Sequence, residues 1–171
     1  LDENLHYHTP VHVLAIFDFA AKNDIPIEPW EELAIWFHDS VYDIDNIHGD
    51  NERLSADFMY AMIRPYVKDA YDASAAICYT ATHLSHDCPP RYAKILDLDM
   101  TGFCSDRTNH EAITECIRRE YPLIDQTKFD QGRKAFLEKL ISKGPIYRTE
   151  AFQKFEAAAQ ENVRLDLEQI K

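Results

Sequence analysis

The chain has 171 residues, of which 46% are hydrophobic, and a formal net charge of −12. That length and apolar content suit a single domain over 1–171 with a sizeable core and argue against disorder. The acidic balance argues against a nucleic-acid polymer as partner, because phosphate contacts want a basic face; a small phosphorylated ligand stays open, since a bound metal and a few arginines can reverse the sign locally.

Only four glycines, and few runs of β-branched residues, point to an all-α fold. The cysteines, Cys78, Cys88, Cys104 and Cys116, form no C-x-x-C pair, so a zinc ribbon or thioredoxin-like motif is not expected and the thiols are read as reduced, in a cytoplasmic protein. No apolar run approaches the roughly 20 residues of a membrane span, so no membrane partner is expected. No signal peptide is visible, and a start at Leu1 leaves room for a preceding segment.

Thr9-Pro10 predicts a helix start, with threonine as cap and proline in the first turn, running to about Lys22. His12, Ala15, Ile16 and Phe19 share one face at spacings of three and four, which points His12 inward. Asn23-Asp24-Ile25-Pro26 breaks that helix. Glu28-Pro29 opens a second helix through Leu33, Ala34, Trp36, Phe37 and Val41, and places His38-Asp39 on or beside its buried stripe. After a polar loop at 43–50, Asp50 or Asn51 caps a third helix through Leu54, Phe58, Met59 and Ile63. A fourth helix over about 68–84 turns Thr80 and His83 inward. Arg91 to Met100 reads as a short helix with Asp99 inward and Asp97 off the stripe, interrupted at Gly102. Helices follow from Asn109 to Tyr121, from Phe129 to about Lys143, and from about Thr149 to the end, the last burying Phe152, Phe155, Ala159 and Val163.

Four separate segments thus offer an inward metal-type ligand: His12, the His38-Asp39 doublet, His83 and Asp99. Imidazole and carboxylate together suit Zn, Mn, Fe, Co or Ni. The order His … His-Asp … Asp across helices resembles that of the HD superfamily of metal-dependent phosphohydrolases. The resemblance is closest to its small bacterial and phage branch, through Tyr7-His8-x-x-x-His12, Trp36-Phe37-His38-Asp39-x-Val41-Tyr42-Asp43, Asn51-Glu52-x-x-Ser55-Ala56 and Thr80-x-x-His83. It continues through Leu96-Asp97-x-Asp99, Ile117-Arg118-x-Glu120-Tyr121, Gly132-Arg133 and Ile146-Tyr147-x-Thr149. Two departures stand out: Leu5 where that branch usually has an arginine, and Met100 where it usually has leucine. The resemblance also leads one to expect a helical segment ahead of this region, which these 171 residues do not include.

The resemblance implies a compact multi-helix HD bundle and metal ligands His12, His38, Asp39 and an aspartate of the Asp-x-Asp pair, Asp99 being favoured and Asp97 the alternate. It implies a divalent transition metal, with Mg an option and a second metal left open. It implies attack of metal-activated water on phosphorus of a small phosphorylated substrate, a nucleotide before others. Asp43 and Glu52 are the candidate general acids, against a reading as solvated loop carboxylates. His83 is a candidate for the phosphate, the nucleophile or a second metal, against a core histidine satisfied by a carbonyl. Arg118 and Arg133 are candidate phosphate clamps, against bridges to carboxylates such as Glu120. Lys94 is a weaker candidate for the phosphate, and His8 is open between a contact behind the metal ligands and a contact to substrate. Tyr121 and Tyr147 could stack on a base but suit a core equally. His6, His48, His86 and His110 are expected at the surface. A homodimer enters only by analogy with other helical HD proteins.

Two rival readings keep the ligands. A di-iron oxygenase needs further histidines between the doublet and the last aspartate, where only His83 is well placed. A non-catalytic metal- or nucleotide-binding module is disfavoured by the intact ligand set.

Overall fold

In a computed structural model, which describes residues 4–44, 49–85 and 87–170, the chain is all-helical, with eight α-helices and no strand among the described residues. His48 and His86 lie outside that range. Within 1–171 the chain forms two compact units, one of His8–Asp99 and one of Leu1–Tyr7 with Met100–Lys171.

The His8–Asp99 unit holds α1 (Pro10–Lys22), α2 (Pro29–Phe37), α3 (Asn51–Ile63), α4 (Ala70–Thr80) and, after a 3-10 turn at Pro90–Tyr92, α5 (Ala93–Asp99). Local chemistry sets several ends. The Thr9 hydroxyl accepts from the Val11 N–H with Pro10 in the first turn, as the sequence predicts. At the other end of α1, Asp24 takes a left-handed φ of 54°. The Ile25 N–H then reaches back to Ala20 O at 2.9 Å and the Asp24 N–H to Ala21 O at 3.4 Å, which closes two orphan carbonyls as Ile25 turns into the core. Glu28 and Glu31 form a reciprocal capping box at the start of α2. α4 carries buried alanines at 70, 73 and 76, beside Ile77 and Thr80, and this thin face packs against α2 and α3.

The buried face of α1 is His12, Val13, Ile16 and Ala20, so Ala15 is exposed and Phe19 only half-buried. The stripe follows the four-residue step 12–16–20, and Ala15 falls one position off it. α2 ends at Phe37, and Val41 belongs to the loop beyond. Gly102 does not stop the helical run; Met100–Cys104 continues as a 3-10 segment. Asp97 is buried as fully as its apolar neighbours, because seven-residue α5 packs against α1, α2 and α4 and leaves few positions facing out.

The second unit adds α6 (Arg107–Arg119), α7 (Gln126–Ser142), a 3-10 segment at Glu150–Phe155 and α8 (Glu156–Gln169). Leu137, Leu140, Ile146, Tyr147, Phe152, Ala159 and Val163 form its core, with Phe155 half-buried. The buried Tyr147 donates its hydroxyl to Met100 O at 3.1 Å, so it is a core residue. Two glutamates organise loops here: Glu120 accepts from the His6 and Tyr7 N–H groups, and Glu156 from those of Ile146 and Tyr147. His110 is buried, against the expectation of a surface position; its Nε2 donates to Asp166 Oδ2 at 2.9 Å and its Nδ1 lies 3.2 Å from Gly102 O. None of the four cysteines is in a disulfide.

Candidate metal centre

The centre lies within the His8–Asp99 unit and starts at the end of α2. The last turn of a helix leaves carbonyls without intrahelical donors. His38 meets one of them: its Nδ1–H donates to Ile35 O at 2.9 Å. That bond fixes the ring and turns Nε2 toward α1 and α5, in the manner of a metal-ligating histidine held by a carbonyl behind it. Nε2 of His12, from α1, lies 3.3 Å away. Asp99, at the end of α5, brings Oδ1 to 3.1 Å from His12 Nε2 and 3.4 Å from His38 Nε2. His12, His38 and Asp99 thus converge as a group able to hold a metal ion, the first two buried and the third half-buried. The aspartate of the cluster is Asp99; Asp97 is buried elsewhere on α5.

Asp39 flanks the group, with Oδ2 at 3.1 Å from His38 Nε2. His83, in the turn after α4, sits on the far oxygen of Asp99, Nε2 to Oδ2 at 2.9 Å. Burial works against charge on the His38 ring, but the carboxylates of Asp39 and Asp99 outweigh it and hold its pKa well above the ordinary histidine value. Burial likewise opposes charge on Asp99, yet His38 and the hydrogen bonds from His12, His38 and His83 hold that carboxyl well below its usual range. Asp39 is also lowered, its burial overcome by His38.

This donor set fits a divalent cation. With neither Nε2 protonated, two imidazole lone pairs 3.3 Å apart and an Asp99 oxygen at 3.1 and 3.4 Å from them converge on one point, where a cation can take all three. Mixed nitrogen and oxygen donors match borderline transition ions.

The remaining residues proposed from sequence fall in distinct places. Asp43 is exposed in the loop after the doublet, and its backbone is clamped by the Asn51 side chain, which accepts from Asp43 N–H at 3.2 Å and donates to Asp43 O at 3.1 Å. Glu52, in the first turn of α3, follows Asn51, so both candidate acids belong to one loop–helix junction. Ser55 fastens the same loop one turn later, accepting from Val41 N–H at 3.0 Å and donating to Val41 O at 3.1 Å. These clamp roles give Asn51 and Ser55 a physical reason that their place in a motif had not supplied. His8 stacks on Tyr42 at 3.7 Å between centroids. Lys94 is engaged away from the cluster, its ammonium on Glu31 at 2.7 Å and Pro26 O at 2.8 Å. In the other unit, Arg118 donates to Tyr121 O, Ile124 O and Gln126 rather than to Glu120, and Arg133 faces Asp166 and Thr114. Tyr121 packs on Phe129.

No protein-family model, curated protein or solved structure matches the chain. Among the described residues, no helix is long and apolar enough to cross a membrane.

Proposed function

We propose that the chain is a metal-dependent phosphohydrolase acting on a small phosphorylated substrate, a nucleotide before others. The observation that carries this reading is the convergence of His12 Nε2, His38 Nε2 and Asp99 Oδ1 from three helices, with Asp39 Oδ2 alongside as a fourth donor. Two imidazoles and two carboxylates would hold one divalent ion of the Mn, Zn, Co, Ni or Fe class, with Mg as a harder alternative. When bound, such an ion supplies Lewis-acid charge and a nucleophilic water near neutral pH.

The chain's own residues supply the rest. Ile35 O fixes the His38 tautomer, and His83 fixes the far oxygen of Asp99, so the donors are oriented before any ion arrives. Asp43 and Glu52, brought to one junction by the Asn51 clamp, are the carboxyls available to protonate a leaving group. The cytoplasmic setting read from the cysteines belongs to the same proposal.

The test is a chromatographic turnover assay with mono-, di- and triphosphate nucleotides and simple phosphate esters, in Mn, Co or Mg, with Asp39→Ala as control. Metal-dependent turnover lost in the variant supports the hydrolase, and the products name the bond cleaved. Nucleotide binding without turnover in any metal would replace it with a binding module. Two irons per chain with a visible absorption band would replace it with an oxygenase.

A further inference from the structure

Within the His8–Asp99 unit, α2 and α5 are joined at both ends. Where they finish, His38 Nε2 and Asp99 Oδ1 lie 3.4 Å apart in the candidate metal centre. Where they start, the Lys94 ammonium of α5 meets Glu31 Oε2 of α2 at 2.7 Å. Glu31 shares the buried face of α2 with Ala34, Ile35 and His38, and stands two turns, about 10 Å, before that histidine. Lys94 stands about 7.5 Å before Asp99 along α5. The two links therefore come in the same order along both helices.

Glutamate is almost never fully buried unless it is paired, and Glu31 is only 3% exposed. Its Oε2 accepts from the Glu28 N–H at 2.8 Å as well as from Lys94. Lys94 also donates to Pro26 O at 2.8 Å, just ahead of α2. One carboxylate and one ammonium thus tie the start of α5 to the start of α2 and to the segment before it. The buried apolar side chains of α5, Ala93, Ile95, Leu96 and Leu98, set its depth in the core, but apolar burial is non-directional and holds position along the axis only loosely. A buried ion pair adds little net stability over an apolar pair of the same shape; it is directional, and fixing register is its best-attested use.

We propose that Glu31 and Lys94 are positioning residues of the metal centre: their ion pair sets the register of α5 against α2 and so holds Asp99 Oδ1 at His12 and His38. The inference rests on the metal reading of that cluster and adds to it two residues outside the donor set. It gives Lys94 a role other than the phosphate contact that the resemblance implies.

Chelator-treated full-length protein is titrated with cobalt, whose visible absorption reports its donors, and urea unfolding is measured on the same proteins. Lys94→Met leaves the Glu31 carboxylate buried without its cation and should lose both stability and cobalt affinity. Combining it with Glu31→Gln removes that orphan charge, while the glutamine still accepts from the Glu28 N–H. The double variant should regain stability, yet bind cobalt about tenfold more weakly than wild type and with an altered absorption band. Lys94→Arg keeps the pair and should bind as wild type does. Affinity that follows the tether while stability does not is the mark of positioning. Wild-type affinity and spectrum in either folded variant lacking the pair overturn the proposal and leave the metal reading standing; a wild type that binds no cobalt overturns both.

Discussion

His83 Nε2 lies 2.9 Å from Oδ2 of Asp99, and this leaves Oδ1 of the same carboxylate to His12 and His38. One aspartate therefore has two jobs, as donor on one oxygen and as an oriented group on the other. Asp99→Ala removes both and should abolish metal binding. His83→Ala removes only the orienting contact and should weaken metal affinity by about 10–100-fold. Asp97→Ala, outside the cluster, should keep the metal. Metal titrations on the three variants give the ranking; an Asp97→Ala protein that loses the ion while Asp99→Ala keeps it reverses the assignment.

The loop after the doublet is held by side chains rather than by secondary structure. Ser55→Ala leaves both polar groups of the Val41 backbone without their partner. Urea unfolding should show a loss of about 1–3 kcal/mol. A value within experimental error of wild type would mean that water replaces the hydroxyl and that the clamp carries no weight.

In the other unit, Asp166 is a hub for His110, Arg107 and Arg133. Burial opposes its charge, but the His110 contact and the two arginines win, and its pKa is lowered in the folded chain. A depressed carboxyl contributes stability that is full above its unfolded pKa, about 4, and fades as pH falls through the lower folded value. Asp166→Asn should therefore be less stable than wild type near neutrality, with the difference narrowing in acid. Thermal unfolding across that range reads it, and a gap that stays constant down to acid pH contradicts the ionic role.

What was legible in the sequence was chiefly local. Thr9-Pro10 and Glu28-Pro29 mark helix starts through contacts within a few residues, and the all-α class follows from periodicity and scarce glycine. His12, His38 and Asp99 were also reachable, because a polar residue on an apolar helical stripe must face the core. His110 was not. It stands three residues before Ile113 at the start of α6, and its partners come from elsewhere in the chain: Phe103, Gly102 O and Asp166, the last 56 residues away. Asp97 was misplaced for a related reason: a periodicity argument assumes one wet face, and α5 has helices on several sides. The clamp roles of Asn51 and Ser55 needed the fold, since neither residue type announces which backbone it will bind.

If His12, His38 and Asp99 hold a divalent ion, the protein binds it with those three side chains and not elsewhere. Calorimetric titration of Mn or Zn into chelator-treated protein tests it most directly, alongside His38→Ala and far-ultraviolet circular dichroism of both proteins. A bound ion in the wild type, loss of that binding in the variant and unchanged helicity are expected. Equal binding in a folded His38→Ala protein would contradict it.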